Sequence, residues 1–500
     1  MKIPNFSQEK LNAMCAKKMV EEVKKYVKAY FFKSNNPLGT FYYDAYDKKF
    51  VLFKDTEVKS RFLFQKIIRE EMPIFDVSKW FYCKDAEHYR FTIRPNKPIV
   101  FDMHGEHFIN GFSGFIHKRK LFSSYGYDTQ EDVDTILGHI YNVWCSKNED
   151  MFRYVEKWLS CVVAGRKMKT MLYLKGRQGL GKSMITEFME HQVLGRHLVY
   201  TTNKPNILTE FNSQLVGKTM VIFEELPTEG ANEWRKTTNS IKHIITSPTI
   251  DIEEKHKPAY EAENIISVIL NTNNDALCLT DDDRRTVVLD LNEEYIGNHD
   301  YFSNLSRAMR NEDVGEAFYN WLMEVYEDTC EDFKEQLFPK TETKKEIIIE
   351  HLSTLYKYIK EQFIKTKQNI DCSLKDFYEG YKSHFVNKET IIHVSKLLKR
   401  IGINNNPENI DGHTTRMIHA SHEELYKIYA KNGWIHDTDE IEQPKEKIPV
   451  PRPTIEVDDA TNDDTDEEKD DDEVEEDESV ADSEIADIVA VIDKNTISFE

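Results

Sequence analysis

Chemistry is most legible in the segment Gly176-Arg177-Gln178-Gly179-Leu180-Gly181-Lys182-Ser183. Glycines at these positions let backbone N–H groups turn inward and cradle phosphate oxygens. Lys182 then reaches β- and γ-phosphates, and the Ser183 hydroxyl can ligate Mg²⁺. Such a loop works only between a strand and a helix. Met171-Leu172-Tyr173-Leu174 is a short apolar run ahead of it, and Ile185, Phe188 and Met189 share one face of a helix behind it. ATP and Mg²⁺ are therefore the expected ligands. The bland alternative is a lysine-bearing glycine turn.

A second apolar run, Val221-Ile222-Phe223, ends in Glu224 and Glu225, 42 residues after Lys182. In-line phosphoryl transfer needs a positioned water and a neutralised leaving group. Glu224 is expected to hold Mg²⁺ and Glu225 to polarise the attacking water; solvated glutamates at a strand end are the alternative. A third strand, residues 265–270, leads into Asn271-Thr272-Asn273, where the Asn273 amide can sense the γ-phosphate or hold the lytic water. Arg284 and Arg285 follow eleven residues later, directly after Asp281, Asp282 and Asp283. Either arginine can serve as a finger; alternatively both pair with the aspartates on the surface. Between the second and third strands, residues 250–262 read as a hairpin with Lys255, His256 and Lys257 at its tip, a basic contact for DNA or a solvated turn.

These residues need a scaffold, and 500 residues are enough for two to four domains. With 40% hydrophobic and 31% charged residues the composition is that of a globular protein. No apolar run reaches a membrane span, and the lysine-rich start has no secretory h-region, so an intracellular protein with no membrane partner is expected. Seven cysteines without a CxxC pair argue against a disulfide framework or a zinc site. The net charge of −22 is concentrated in residues 456–500, which hold 21 Asp/Glu and two Lys and leave only −3 for the rest. A nearly neutral body can turn its cations toward a phosphate backbone.

The expected fold is α/β. Residues 1–130 read as a small α+β domain of unclear role. Residues 131–300 form the ATPase core, a mainly parallel sheet introduced by helices over 131–145 and 151–164. Residues 301–370 are helical, and 371–437 form a compact helical domain with a short β element. Residues 438–500, proline-rich and then acidic, are expected to be a disordered tail.

GRQGLGKS, VIFEEL, EKHK and VILNTN occur in that order within about 100 residues. This order resembles superfamily 3 helicases, the AAA+-like P-loop motors of viruses, phages and plasmids. INGFSG (109–114), FRYVEKWLSCVVAGRKMK and NTNNDALCLTDDDRRTVVLDL are similar to the D5-like and phage primase-polymerase group within it. The similarity spans about 109–325 and implies a replicative DNA helicase. It further implies a homo-hexameric ring around a DNA single strand, with Lys255 and His256 gripping DNA and an arginine of one subunit completing its neighbour's site. Residues 373–435 are similar to the winged-helix region that often follows such motors. Many relatives carry a primase or nicking domain ahead of the motor. Residues 1–108 lack a DxD pair, and His104-Gly-Glu-His107 has the wrong spacing for a nickase, so a separate primase, polymerase or single-strand-binding protein is expected as partner. An RNA-directed motor and an ATP-switched scaffold are the competing readings.

Overall fold

A computed structural model describes residues 5–46, 49–208, 210–226, 231–255, 259–274, 277, 279–280, 283–385, 389–410, 412–435, 439 and 441, without the side chains of 231–235. His256 and Lys257 of the hairpin tip, Asp281, Asp282 and the acidic tail lie outside these residues.

The apolar runs found in the sequence assemble into one five-stranded parallel sheet. Its strands are β1 (Met171–Lys175), β2 (Val199–Thr202), β3 (Met220–Glu224), β4 (Ser267–Thr272) and β5 (Thr286–Asp290), in the order β2-β3-β4-β1-β5. Helices cover such a sheet on both faces, so its strands are apolar without alternation. β4 is buried at all six positions, and β1 and β3 at four of five each. From β1 the chain crosses to the far edge at β2, returns through β3 to β4 beside β1, and then crosses to β5 on the other side. In an open parallel sheet, ligands bind beyond the carboxyl ends of the strands where this order reverses. Here that point is the end of β1 and β4.

Five helices matter for that point: α1 (Tyr127–His139), α2 (Glu149–Val163), α3 (Lys182–Phe188), α4 (His299–Met309) and α5 (Val314–Thr329). α2 buries Met151, Tyr154, Val155, Trp158, Leu159 and Val162 at helical spacing, and the Asn148 side chain caps its start by accepting from Met151 N–H. The Trp158 and Tyr154 polar tips converge on Thr170 Oγ1, at 3.2 and 2.9 Å, and so fix the entry into β1. The helix expected over 131–145 starts earlier, at Tyr127, and widens into a π-turn at Ile140–Trp144. The third strand starts at Ser267 rather than at 265, because the Asn264 side chain accepts from Ile266 N–H and turns the chain there.

Residues 31–110 contribute a separate six-stranded mixed sheet, preceded by helices Gln8–Ala16 and Val20–Lys28. Buried Asn110 pins its exit by donating to the carbonyls of Arg94 and Lys97 and accepting from the amides of Arg94 and Phe112. Residues 352–434 have a core of their own around Leu355, Tyr381, Leu398, Ile418 and Trp434. Strand Ile370–Ser373, helices Leu374–His384 and Ile391–Arg400, the hairpin Asn405–Ile410 with His413–Ala420, and helix His422–Lys431 enclose it. Among the described residues, no helix is long and apolar enough to cross a membrane.

Asp283 corrects one expectation. It does not pair with the side chains of Arg284 and Arg285. It is buried, accepts from the amides of Arg285 and Thr286, and lies 3.3 Å from Lys242 Nζ and 3.7 Å from Lys344 Nζ. Burial alone would raise its pKa, but the two ammonium groups and the amides more than offset this and hold it below the usual carboxylate range. Removing one partner of a buried charge cluster strands the others. Asp283→Ala should therefore lower unfolding free energy by about 3 kcal/mol, measured by urea denaturation; a loss near zero would show that the cluster is solvated.

Candidate functional site

The chain leaves β1 at Lys175 and turns at once. The Gly176 amide donates to Thr272 O at 3.1 Å, which ties the start of the loop to the end of β4. Leu180 is buried and anchors the loop beneath, while Arg177, Gln178 and Gly179 face outward. Gly179 (φ +90°) and Gly181 (φ +73°) hold left-handed conformations that L side chains rarely adopt. Gly181 caps α3, and Lys182 is its first residue.

Lys182 folds back over this loop. Its ammonium donates to Gly176 O (2.6 Å), Arg177 O (3.0 Å) and Asn273 Oδ1 (2.9 Å), which uses all three of its protons. Burial lowers its pKa, opposed by the nearby Glu225 and Glu224. The arrangement is a cation held at the mouth of a glycine loop by acceptors that other oxygens can replace.

Glu224 ends β3 and gathers three donors. Ser183 Oγ donates to Oε2 at 3.0 Å, and Thr186 Oγ1 and Asn271 Nδ2 donate to Oε1 at 3.3 and 2.7 Å. Glu225 steps into a left-handed conformation (φ +53°) with its amide donating to Asn271 O at 2.9 Å. Its carboxylate accepts from Asn273 Nδ2. The two carboxylates, adjacent in sequence, thus have different partners. Glu224 faces the helix that carries Ser183, whereas Glu225 is exposed and faces the amide beyond β4. Asn271 Oδ1 is buried with no hydrogen-bond partner among the described residues.

Lys182, Ser183, Glu224, Glu225 and Asn273 lie together in the structure. Thr186 has no part in the sequence reading, and Asn271 is named there only within the polar strand end, with no role of its own. The signals were weak: Thr186 is one helical turn after Ser183, and Asn271 is a polar residue inside a buried strand. His139 was also missed and left no signal in the sequence. It ends α1, forty-two residues before Gly181, yet its ring lies against that glycine.

Arg284 and Arg285 lie elsewhere. Met171 N–H donates to Arg285 O at 2.8 Å, so both arginines sit at the start of β5, beside the start of β1. The glycine loop leaves the other end of that strand. The hairpin forms as expected, Thr249–Ile252 pairing antiparallel with Tyr260–Glu263, and Lys255 near its tip is exposed. The hairpin base is braced: Glu263 Oε2 accepts from Thr92 Oγ1 and Ile93 N–H, and Asn212 bonds the Asp251 carbonyl and the Glu253 amide.

A family of unknown function, DUF5906, matches residues 174–285, the interval from the end of β1 to the start of β5. The DNA primase-polymerase of Nitratiruptor phage NrS-1 is 23% identical over 207 residues, which is 41% of this chain and 28% of that protein. The chain thus spans well under a third of this curated relative. The solved C-terminal region of NrS-1, residues 305–718, superimposes with a TM-score of 0.54 at 16% identity, covering 78% of this chain and 96% of that one. The A-form apo structure of the same region gives 0.51 at 15% identity with the same coverage. The chain therefore shares the fold of that region.

Burial lowers the His139 pKa to about 4. Below its ordinary value near 6.5 the unfolded chain takes up a proton that the folded protein refuses. Stability from this group is complete above pH 6.5 and is lost as pH falls toward 4. Between pH 7 and pH 5 the loss is about 2 kcal/mol. His139→Gln should remove that part of the pH dependence. Denaturation of both proteins at the two pH values tests this, and identical slopes would contradict it.

Proposed function

We propose that this chain hydrolyses ATP with Mg²⁺ at the carboxyl ends of β1, β3 and β4. We further propose that it spends that energy moving along and unwinding DNA during replication of a viral, phage or plasmid genome. The observation that carries the reading is the convergence of Ser183, Thr186 and Asn271 on Glu224, beside a lysine seated in a glycine loop. A structural role would not need a left-handed Glu225 with its own amide partner one residue on.

The residues fit Mg²⁺. The Ser183 hydroxyl and Glu224 carboxylate are hard oxygen donors in contact, and Asn271, which donates to Glu224, carries a buried oxygen with no partner among the described residues. Bound there, the ion would neutralise phosphate charge. Lys182 would exchange its two carbonyl acceptors for phosphate oxygens. Glu225 would take a proton from the attacking water, with Asn273 orienting its carboxylate. Residues 176–183 would supply the amides of the phosphate cradle.

Arg284 and Arg285, at the far edge from their own loop, suit a finger delivered to a neighbouring copy, as in a homo-hexamer. The Lys255, His256 and Lys257 arm would contact DNA phosphates. A separate primase, polymerase or single-strand-binding protein would then be the partner. The name of the phage relative favours a second reading, in which the chain takes part in nucleotide polymerisation itself. Incorporation of labelled nucleotides on a template distinguishes this from ATP turnover alone.

Turnover at saturating ATP should disappear in Lys182→Ala while circular dichroism stays native. Glu225→Gln should keep ATP binding and lose turnover; Glu224→Gln should lose Mg²⁺-dependent binding. Near-normal hydrolysis by Lys182→Ala would overturn the reading.

Completion of the site by a neighbour has its own test. Mixing Lys182→Ala with the double variant Arg284→Ala, Arg285→Ala should restore part of the ATPase activity, because some interfaces then pair an intact loop with intact arginines. No recovery at any ratio, with subunit exchange demonstrated, would contradict a shared site.

A further inference from the structure

The glycine loop has a neighbour on its α1 and α4 side. His139 closes α1, and its Nδ1 lies 3.0 Å from the Tyr301 hydroxyl of α4. A Cβ placed on Gly181 would lie 2.9 Å from both His139 Cε1 and Phe302 Cε1. The two rings thus press directly on the residue that caps α3. Phe302 continues outward as the apolar part of a 460 Å³ cleft, otherwise lined by His299, Ser303, Ser306, Arg307 and Arg310.

This cleft is organised. Arg307 lies 3.1 Å from the carboxylate of Asp132, which is 5% exposed and projects from α1. Its guanidinium also donates twice to Asn304 Oδ1, so it is fixed on both sides. Arg310 donates to Ser306 Oγ at 2.8 Å. Among the described residues, the lining holds a phenyl ring, an imidazole, two guanidinium planes and two hydroxyls, and no carboxylate. Such a set suits a flat heteroaromatic ring attached to a polyol, because aromatic and guanidinium faces stack on bases while hydroxyls exchange hydrogen bonds with a sugar. A bare anion would use the arginines but not the part of the Phe302 ring that lines the cleft beyond its packing against Gly181 and His139.

We propose that this cleft takes the base and ribose of the nucleotide whose phosphates lie on residues 176–183. Phe302 and Arg310 stack on the base, and Ser303 and Ser306 face the sugar. The proposal rests on the reading of the loop as a phosphate site. It adds the part of the ligand that the loop does not address, and it assigns α4, far along the chain from the glycine motif, to nucleotide recognition.

The test is equilibrium binding of a fluorescent ADP to the full chain, with inorganic tripolyphosphate as competitor. Phe302→Ala should weaken ADP roughly tenfold, and Arg310→Ala about threefold. The inhibition constant of tripolyphosphate should stay unchanged in both, since it lacks a base. Unaltered ADP affinity in both variants would overturn the proposal. So would a Phe302→Ala protein that loses ADP and tripolyphosphate equally while Arg310→Ala loses neither, because Phe302 would then only support Gly181. If tripolyphosphate fails to compete even in the unaltered chain, the phosphate reading of the loop fails, and this proposal falls with it.

Discussion

The architecture of the candidate site depends on one carboxylate. Glu224 stands at the end of β3, and its oxygens collect donors from α3 and from β4. A carboxylate with three neutral donors is well satisfied, so the cluster is stable as a polar network rather than as an ion pair. It also sets distances. With Ser183 and Asn271 both tied to Glu224, the glycine loop cannot drift from β3, although β4 lies between β3 and β1 in the sheet. The adjacent Glu225, in a left-handed conformation, has a different partner, Asn273.

The rest of the fold serves this constraint. Parallel order brings three carboxyl ends to one edge, and the buried strands make that edge rigid. α2 fixes where β1 begins through Thr170, and α1 and α4 back the loop through His139 and Phe302. The opposite edge carries Arg285 beside Met171 and buried Asp283 with its two lysines. The glycine loop and the arginines thus lie at opposite ends of the paired strands β1 and β5.

Much of this was legible in the sequence, for physical reasons. Strands buried on both faces read as unbroken apolar runs, so 171–174, 221–223 and 265–270 stood out, and polar residues at their ends could be assigned to one edge. The glycine loop was legible because its backbone needs residues that tolerate positive φ. Contacts made across the fold were not. Asp283 looked like a partner for the arginines next to it, whereas burial selects Lys242 and Lys344, forty-one residues before it and sixty-one after it. His139 and Phe302 carry no local pattern that links them to Gly181. The strand order, with β4 inserted between β1 and β3, is likewise a tertiary fact that periodicity does not encode.

The most direct test of the account is strand separation on a forked DNA duplex by the full chain, with ATP and Mg²⁺, alongside the same fork in RNA. ATP-dependent unwinding of the DNA fork is expected, absent without Mg²⁺ and weaker on RNA. ATP hydrolysis with no unwinding of either fork would contradict a motor and leave a nucleotide-switched scaffold.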